Sequence, residues 1–152
     1  MRAKTIVLDA SLLLLLVVGL TSRRYIGSHK RLQTYGIADF VRLKSMIDAA
    51  QRVLVTPNTL TEASNLVGHI GEPARTQIYR QFRMIAKLFE EQYFESRRAV
   101  EEREFLRLGL ADAVQLGLAA QAHTLLTVDL DLYIAAIDRG FDAINFRHQS
   151  GV

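Results

Sequence analysis

The chain has 152 residues, of which 49% are hydrophobic and 23% charged, and this composition predicts one globular domain over residues 1–152. The absence of cysteine excludes a disulfide framework, thiol catalysis and thiolate-bound zinc or iron, and it fits a reducing compartment such as the cytoplasm. The formal net charge of +3 favours a polyanionic partner.

The first predicted element is a strand over residues 5–8, buried on both faces and followed by Asp9 and an apolar run over residues 12–20. Open α/β sheets bind ligands at the carboxyl ends of their strands. Asp9 therefore has two interpretations, as the cap of the next helix or as a metal-binding or catalytic group. Ser11 can supply the cap instead. Because the apolar run is shorter than the roughly 20 residues that span a bilayer, no membrane span or signal peptide is predicted.

Residues 21–36 form a polar segment that contains no acidic residue. Cationic and aromatic side chains alternate along it, namely Arg23, Arg24, Tyr25, His29, Lys30, Arg31 and Tyr35. Such side chains can neutralise phosphates and stack on bases, so Arg23, Arg24, Lys30 and Arg31 are candidate RNA-binding residues. The alternative is a solvated surface loop. Its place after the first helix puts the segment beside the same edge of the sheet as Asp9.

The middle of the chain continues the alternation of helix and strand. Helical spacing of apolar residues predicts a helix over residues 37–50, and residues 52–56 form a second buried strand. Pro57 is suited to the first position of a helix over residues 57–69, with Thr56 as its cap.

Glu62 lies on this helix between Asn58 and Asn65 at helical spacing. An isolated glutamate on a surface is common, whereas a glutamate flanked by amides one turn beyond a strand end is less so.

A long helix is then predicted over residues 74–94 and a second over residues 96–106. Their mixed charges indicate a solvated face.

Two further acids are Asp112, which lies on a helix as Glu62 does, and Asp129, which follows a strand as Asp9 does. Residues 108–120 predict a buried helix, because they are apolar almost all round, and Asp112 lies in its first turn. A strand over residues 124–128 ends at Asp129, with Asp131 two residues later. A helix over residues 132–139 and a short strand over residues 143–146 complete the chain.

This alternation predicts an α/β fold with a mainly parallel sheet and right-handed crossovers. In such a sheet Asp9 and Asp129 leave their strands at the same edge, and the helices carrying Glu62 and Asp112 can face that edge. Four carboxylates in one cleft repel each other by several kcal/mol unless a cation screens them. Oxygen ligands without cysteine select a hard cation, Mg²⁺ or Mn²⁺.

Four segments resemble, in order, the acidic signatures of PIN-domain ribonucleases. They are residues 6–9 with Ser11, residues 60–66, residues 108–113 and residues 126–129. The resemblance implies a three-layer PIN-like fold, in which helices flank a mainly parallel sheet of four or five strands. It implies that Asp9, Glu62, Asp112 and Asp129 are the catalytic and metal-binding acids.

The same resemblance implies supporting roles for four neighbouring polar residues, Ser11, Asn65, Thr127 and Asp131. It further implies the toxin of a toxin–antitoxin pair, with an antitoxin protein as partner, and a homodimer. Two residues depart from the family pattern: Ala10 stands where threonine is usual, and Val128 where asparagine or aspartate is common.

The function expected is hydrolysis of phosphodiester bonds in single-stranded RNA or a structured RNA loop, dependent on one or two Mg²⁺ or Mn²⁺ ions. A PIN-like RNA- or protein-binding module without turnover is the first alternative. A phosphatase of the haloacid dehalogenase kind is disfavoured because it needs a second aspartate where Ser11 stands. A phosphorelay receiver domain is disfavoured because it needs an acidic pair, and Leu8 precedes Asp9.

Overall fold

The structure is a computed structural model that describes residues 4–147. Its centre is a sheet of five parallel strands in the order β3-β2-β1-β4-β5. The strands are β1 (Thr5–Leu8), β2 (Arg52–Val55), β3 (Glu90–Glu91), β4 (Thr124–Thr127) and β5 (Ala143–Asn145).

Helices pack on both faces of this sheet. They are α1 (Ala10–Thr21), α2 (Arg24–Ser28), α3 (Ile37–Ala49), α4 (Pro57–Val67), α5 (Ala74–Leu88), α6 (Ser96–Ala99), α7 (Phe105–Leu108), α8 (Leu110–Ala119) and α9 (Leu130–Asp138), with a 3₁₀ turn at Lys30–Leu32. The predicted α/β class and three-layer PIN-like arrangement are confirmed.

Successive side chains of β1 enter different cores, as expected for a strand buried on both faces. Ile6 and Leu8 pack in one core with α1, and Val7 packs in the other with α8. Helix α1 is buried over most of its length because it contacts α2, α3, α4 and α5. Within residues 4–147, no helix is long and apolar enough to cross a membrane.

The prediction of one long helix over residues 74–94 is wrong. Helix α5 ends at Leu88, and Glu90 and Glu91 form the edge strand β3, which pairs with β2 through Leu54 and Val55. The two-residue strand carries no periodic pattern of its own, so only its neighbour in the sheet defines it. The predicted helix over residues 96–106 is also wrong, since two short helices, α6 and α7, replace it.

A buried ion pair ties the chain before α7 to the end of α9. The Arg139 guanidinium donates to both carboxylate oxygens of Glu104, at 2.5 and 3.1 Å, and Glu104 is only 5% exposed. Burial opposes ionisation of Glu104, yet hydrogen bonds from Arg139 and Arg103 outweigh it and lower the pKa of Glu104 to about 2.

We expect Glu104→Gln to lower the free energy of unfolding at pH 7 by about 2 kcal/mol, because charged hydrogen bonds are lost from a buried site. The lowered pKa means that the wild-type pair stabilises fully above the unfolded pKa of about 4.3 and loses this contribution as pH falls towards 2. Urea unfolding should therefore show a smaller difference at pH 3 than at pH 7. The exposed Glu101→Gln is the control, and equal losses at the two pH values would contradict this assignment.

Candidate active site

Asp9 lies directly after β1 and forms the N-cap of α1. Its Oδ1 accepts a hydrogen bond from the Leu12 amide at 2.9 Å, and the residue is 6% exposed. Its Oδ2 accepts from the Thr127 hydroxyl at 2.6 Å and from the Val128 amide at 2.9 Å. Ser11, the alternative cap, is half-buried in the first turn of α1 and does not take this role. A carboxylate accepts about four hydrogen bonds, so these contacts leave Asp9 about one position for another ligand.

Thr127 joins the ends of β1 and β4. Its fully buried hydroxyl donates to Asp9 and accepts from the Asp129 amide at 3.0 Å. Val128 supports Asp9 through its backbone amide, so this contact does not depend on its side chain. The departure from the family pattern at Val128 therefore leaves the contact in place.

Asp129 begins α9 at the same edge of the sheet. Its Oδ1 accepts from the Leu132 amide at 3.1 Å, and the residue is exposed. Asp131 is exposed in the first turn of α9, where a carboxylate suits the free amides of the helix. Asp9 and Asp129 are thus both N-caps and both strand-end acids.

Asp112 is half-buried in the first turn of α8. The turn before it depends on Gly109, whose φ of +88° lies in the region that favours glycine. Gly109 ends α7, through a hydrogen bond from its amide to the Phe105 carbonyl at 2.8 Å, and also starts α8. The start of α8, and with it the position of Asp112, therefore depends on the turn at Gly109.

Glu62 and Asn65 are exposed on α4 and line a cleft of about 500 Å³. The opposite wall of this cleft is the start of α8, at Leu110 and Ala111, directly before Asp112. The open space beside the acids is therefore bounded by α4 and α8.

The electrostatics of Asp112 bring the four acids together. Burial and then the charges of Asp129, Asp9 and Glu62 raise the pKa of Asp112 to about 7. Burial is also the largest cause that raises the pKa of Asp9, with the charge of Asp129 adding to it. Hydrogen bonds to Asp9 favour its ionised form but do not reverse the shift. Burial and neighbouring negative charges thus both disfavour ionisation of Asp9 and Asp112 at this edge of the sheet.

The donor chemistry of this site suits a hard cation, since the candidate ligands are all carboxylate oxygens beside a cleft. Burial is the largest cause that raises the pKa of Asp112, and the charges of Asp129, Asp9 and Glu62 add to it, as expected for acids that lack a countercharge. Within the described residues, however, no group of three Asp, Glu, His or Cys side chains is arranged to hold an ion. Mg²⁺ commonly uses one or two carboxylates and completes its shell with water and phosphate, and that mode fits the site.

The four predicted RNA-binding cations are not gathered at the cleft. Arg23 lies with its guanidinium 5.6 Å from the centre of the Phe40 ring, beside a depression of about 430 Å³. Lys30 borders another depression, of about 360 Å³, at the end of α4. Arg24 and Arg31 are exposed on α2 and the 3₁₀ turn. The predicted basic segment is therefore an ordered surface next to α1, whereas the cleft beside Glu62 is lined by other residues.

Sequence analysis missed one polar group near the acids. The hydroxyl of Tyr35 is buried without a hydrogen-bond partner among residues 4–147, and the Arg147 guanidinium lies 4.7 Å from the centre of its ring. Burial raises the pKa of Tyr35 to about 12; Arg147 opposes the shift, and the charges of Asp9 and Asp39 add to it. The sequence had suggested only base stacking for Tyr35, because no local pattern reveals a hydroxyl buried within the field of Asp9.

Comparison with protein-family models finds no match to the chain, and comparison with curated proteins finds none either. What bears on function is therefore the site itself and the order and position of the four acidic segments.

Proposed function

We propose that this protein is a metal-dependent endoribonuclease of the PIN type, which hydrolyses phosphodiester bonds in single-stranded RNA or structured RNA loops. The observation that carries the proposal is the position of Asp9 and Asp129 at the ends of the paired strands β1 and β4, where the Thr127 hydroxyl joins them. Burial and then the charges of Asp129, Asp9 and Glu62 raise the pKa of Asp112 to about 7, which supports the same grouping. Acids from four separate segments thus act on one another across a single sheet edge, beside an open cleft. Such mutual repulsion is the arrangement that a bound cation would relieve.

The protein's own residues would hold the reacting groups in place. Asp9 is fixed by three hydrogen bonds, so its remaining acceptor position has a defined direction. Thr127 fixes Asp129 relative to Asp9 through one hydroxyl. Asp9, Asp112 and Asp129 would hold Mg²⁺ or Mn²⁺, with Glu62 binding directly or through water. A bound ion would supply positive charge at the scissile phosphate and lower the pKa of the attacking water.

Cleavage of a labelled single-stranded RNA tests the proposal. We expect cleavage with Mg²⁺ or Mn²⁺, none with EDTA, and at least about 100-fold slower cleavage by Asp129→Asn. Asparagine caps helices as well as aspartate does, so this substitution removes charge while keeping the cap of α9. Asp138→Asn, at the exposed end of the same helix, is the matched control. Equal rates for wild type and Asp129→Asn would rule out a role for this charge.

The second candidate is a PIN-like RNA- or protein-binding module without turnover. It is favoured by the three hydrogen bonds that already occupy Asp9, and by the lack of a three-ligand group among residues 4–147. RNA binding without cleavage at any Mg²⁺ or Mn²⁺ concentration would select this alternative.

The proposal includes the role of a toxin inhibited by an antitoxin protein, and a homodimeric state in the cytoplasm. Leu130, Ile134 and Ile137 form an exposed apolar face on α9, between 45% and 50% exposed, and this face supports the homodimer. Light scattering of the wild type and of Ile134→Glu tests that part, because a charge on the dimer face should give monomers.

The basic segment gives a separate prediction on binding. Each phosphate neutralised on a single strand contributes roughly 0.7 to the slope of log affinity against log salt. Changing Arg23 and Arg24 together to Ala should therefore lower the slope for uncleaved RNA in EDTA by about 1.4. Lys4 and Arg97, changed together to Ala, are the control because both cations already have carboxylate partners. An unchanged slope would mean that the segment is only a solvated connection.

A further inference from the structure

The outer face of α5 carries only positive charge. Arg80, Arg83 and Lys87 follow one another at spacings of three and four residues, so they form one stripe along the helix. All three are exposed, and the stripe lies opposite the buried side chains of Ile78 and Ile85. At a rise of about 1.5 Å per residue, the three cations span about 10 Å along the helix axis.

The tertiary structure separates this stripe from acids that the sequence places close by. Because α5 ends at Leu88, Glu90 lies on β3, where it forms an ion pair with Arg52. At the other end of the helix, Glu72 pairs with Arg75 and accepts hydrogen bonds from Thr76. Within residues 4–147, Arg80, Arg83 and Lys87 have no ion-pair partner.

A stripe of this kind does not stabilise the helix. Like charges at spacings of three or four residues destabilise an isolated helix by about 0.2 to 0.5 kcal/mol per pair. A face that serves only to keep the protein in solution would mix both signs, as α3 does with the 2.7 Å ion pair of Lys44 and Asp48. The pattern on α5 therefore points to an anionic partner that relieves the repulsion.

Two features favour RNA over a lipid surface as that partner. The apolar stripe of α5, at Ala74, Ile78 and Ile85, is buried against the core. The exposed apolar side chains of this helix are Tyr79, Met84 and Leu88, which are too few to form the wide apolar face of a helix that lies in a bilayer surface. The stripe also adjoins the basic segment, since the Tyr25 hydroxyl on α2 donates to Gln77 Oε1 at 2.5 Å, and Arg80 follows one turn later. Helices α2 and α5 thus touch through Tyr25 and Gln77, so the basic segment and the stripe lie on adjoining helices.

We infer that the outer face of α5 is a second RNA-binding surface, on which Arg80, Arg83 and Lys87 neutralise phosphates of a strand that also contacts α2. This inference rests on the proposed function for the identity of the polyanion. The inference adds an RNA-binding surface outside the cleft. Binding of RNA and cleavage by the acids would then depend on different parts of the protein.

The test measures binding of a fluorescein-labelled single-stranded RNA to the full chain in EDTA, where the proposed chemistry is switched off. We expect the triple variant Arg80→Gln, Arg83→Gln, Lys87→Gln to bind at least about tenfold more weakly at 0.1 M salt, with the salt slope lowered by about 2. Its melting temperature should not fall, because like-charge repulsion has been removed.

The matched control loses the same charge elsewhere, through Lys4→Gln, Arg52→Gln and Arg97→Gln, and should keep a larger share of its affinity and slope, because each of these cations already has a carboxylate partner. Equal losses in the two triple variants, or wild-type binding by the α5 variant, would overturn the inference. Loss of binding to phosphatidylserine-containing vesicles, with RNA binding intact, would also overturn it in favour of lipid. Cleavage with Mg²⁺ is measured separately, so failure of the ribonuclease proposal leaves a positive binding result standing.

Discussion

Asp9→Asn is expected to slow RNA cleavage by at least about 100-fold, an effect as large as that expected for Asp129→Asn. Asparagine can still accept the Leu12 amide and cap α1, but it brings no negative charge to a cation. The NH₂ group of the asparagine would then face the Thr127 hydroxyl, which can rotate to accept a hydrogen bond from it. The Val128 amide would lose its hydrogen-bond acceptor. The substitution therefore removes charge and disturbs the direction of the side chain.

Asp39→Asn is the matched control for this prediction. Asp39 also accepts a hydrogen bond at a helix start, from the Gly36 amide at 2.8 Å, but it is not among the predicted metal-binding acids. It should cleave at the wild-type rate under the same conditions. If Asp9→Asn also cleaves at that rate, Asp9 is only a helix cap and the proposed mechanism is wrong.

The largest gain in stability is expected for Asp112→Asn in EDTA. Because the folded pKa of about 7 lies above the unfolded value of about 3.9, the charged form of Asp112 is disfavoured by folding. The penalty is absent below the unfolded pKa, grows as pH rises towards 7, and is complete above it. After allowance for solvent screening of a half-buried group, it amounts to about 1 to 2 kcal/mol.

We therefore expect Asp112→Asn to raise the melting temperature of the metal-free protein at pH 8 by about 3 to 6 °C. No gain should remain at pH 4. Mg²⁺ should raise the melting temperature of the wild type more than that of the variant, since a ligand stabilises the state that binds it. Asp138→Asn, at the exposed other end of α9, serves as the control. A lower melting point for Asp112→Asn that does not depend on metal would show that this residue only caps its helix.

The interior strands and several helix starts could be predicted because their signals are local. The apolar runs before Asp9 and Asp129 predict β1 and β4, and Thr56 followed by Pro57 predicts the start of α4. Burial in a parallel sheet requires such runs, and a helix start needs an acceptor for its free amides. The position of Asp9 and Asp129 at one edge of the sheet followed from the same topology, because β1 and β4 are parallel neighbours.

Contacts between distant parts of the chain could not be predicted in this way. The Val128 amide that holds Asp9 is a backbone group, common to almost every residue, and its direction depends on the pairing of β1 with β4. Burial of the Tyr35 hydroxyl could not be predicted either, because it depends on contacts with residues that are distant in the sequence. The sequence indicated which acids could lie close together. The packing decided how many hydrogen-bond acceptor positions of Asp9 remained available for a ligand.

By itself, then, the sequence determined the parallel sheet, its buried strands and the edge at which the acids emerge, because periodicity and capping are properties of neighbouring residues. Only the tertiary structure decided where α5 ends. Glu90 and Glu91 became a strand because β2 offered an unpaired edge, and this removed both acids from the positions three and four residues after Lys87 on the helix. A sheet edge recruits residues through backbone hydrogen bonds, which depend on position in the fold and carry no side-chain signature.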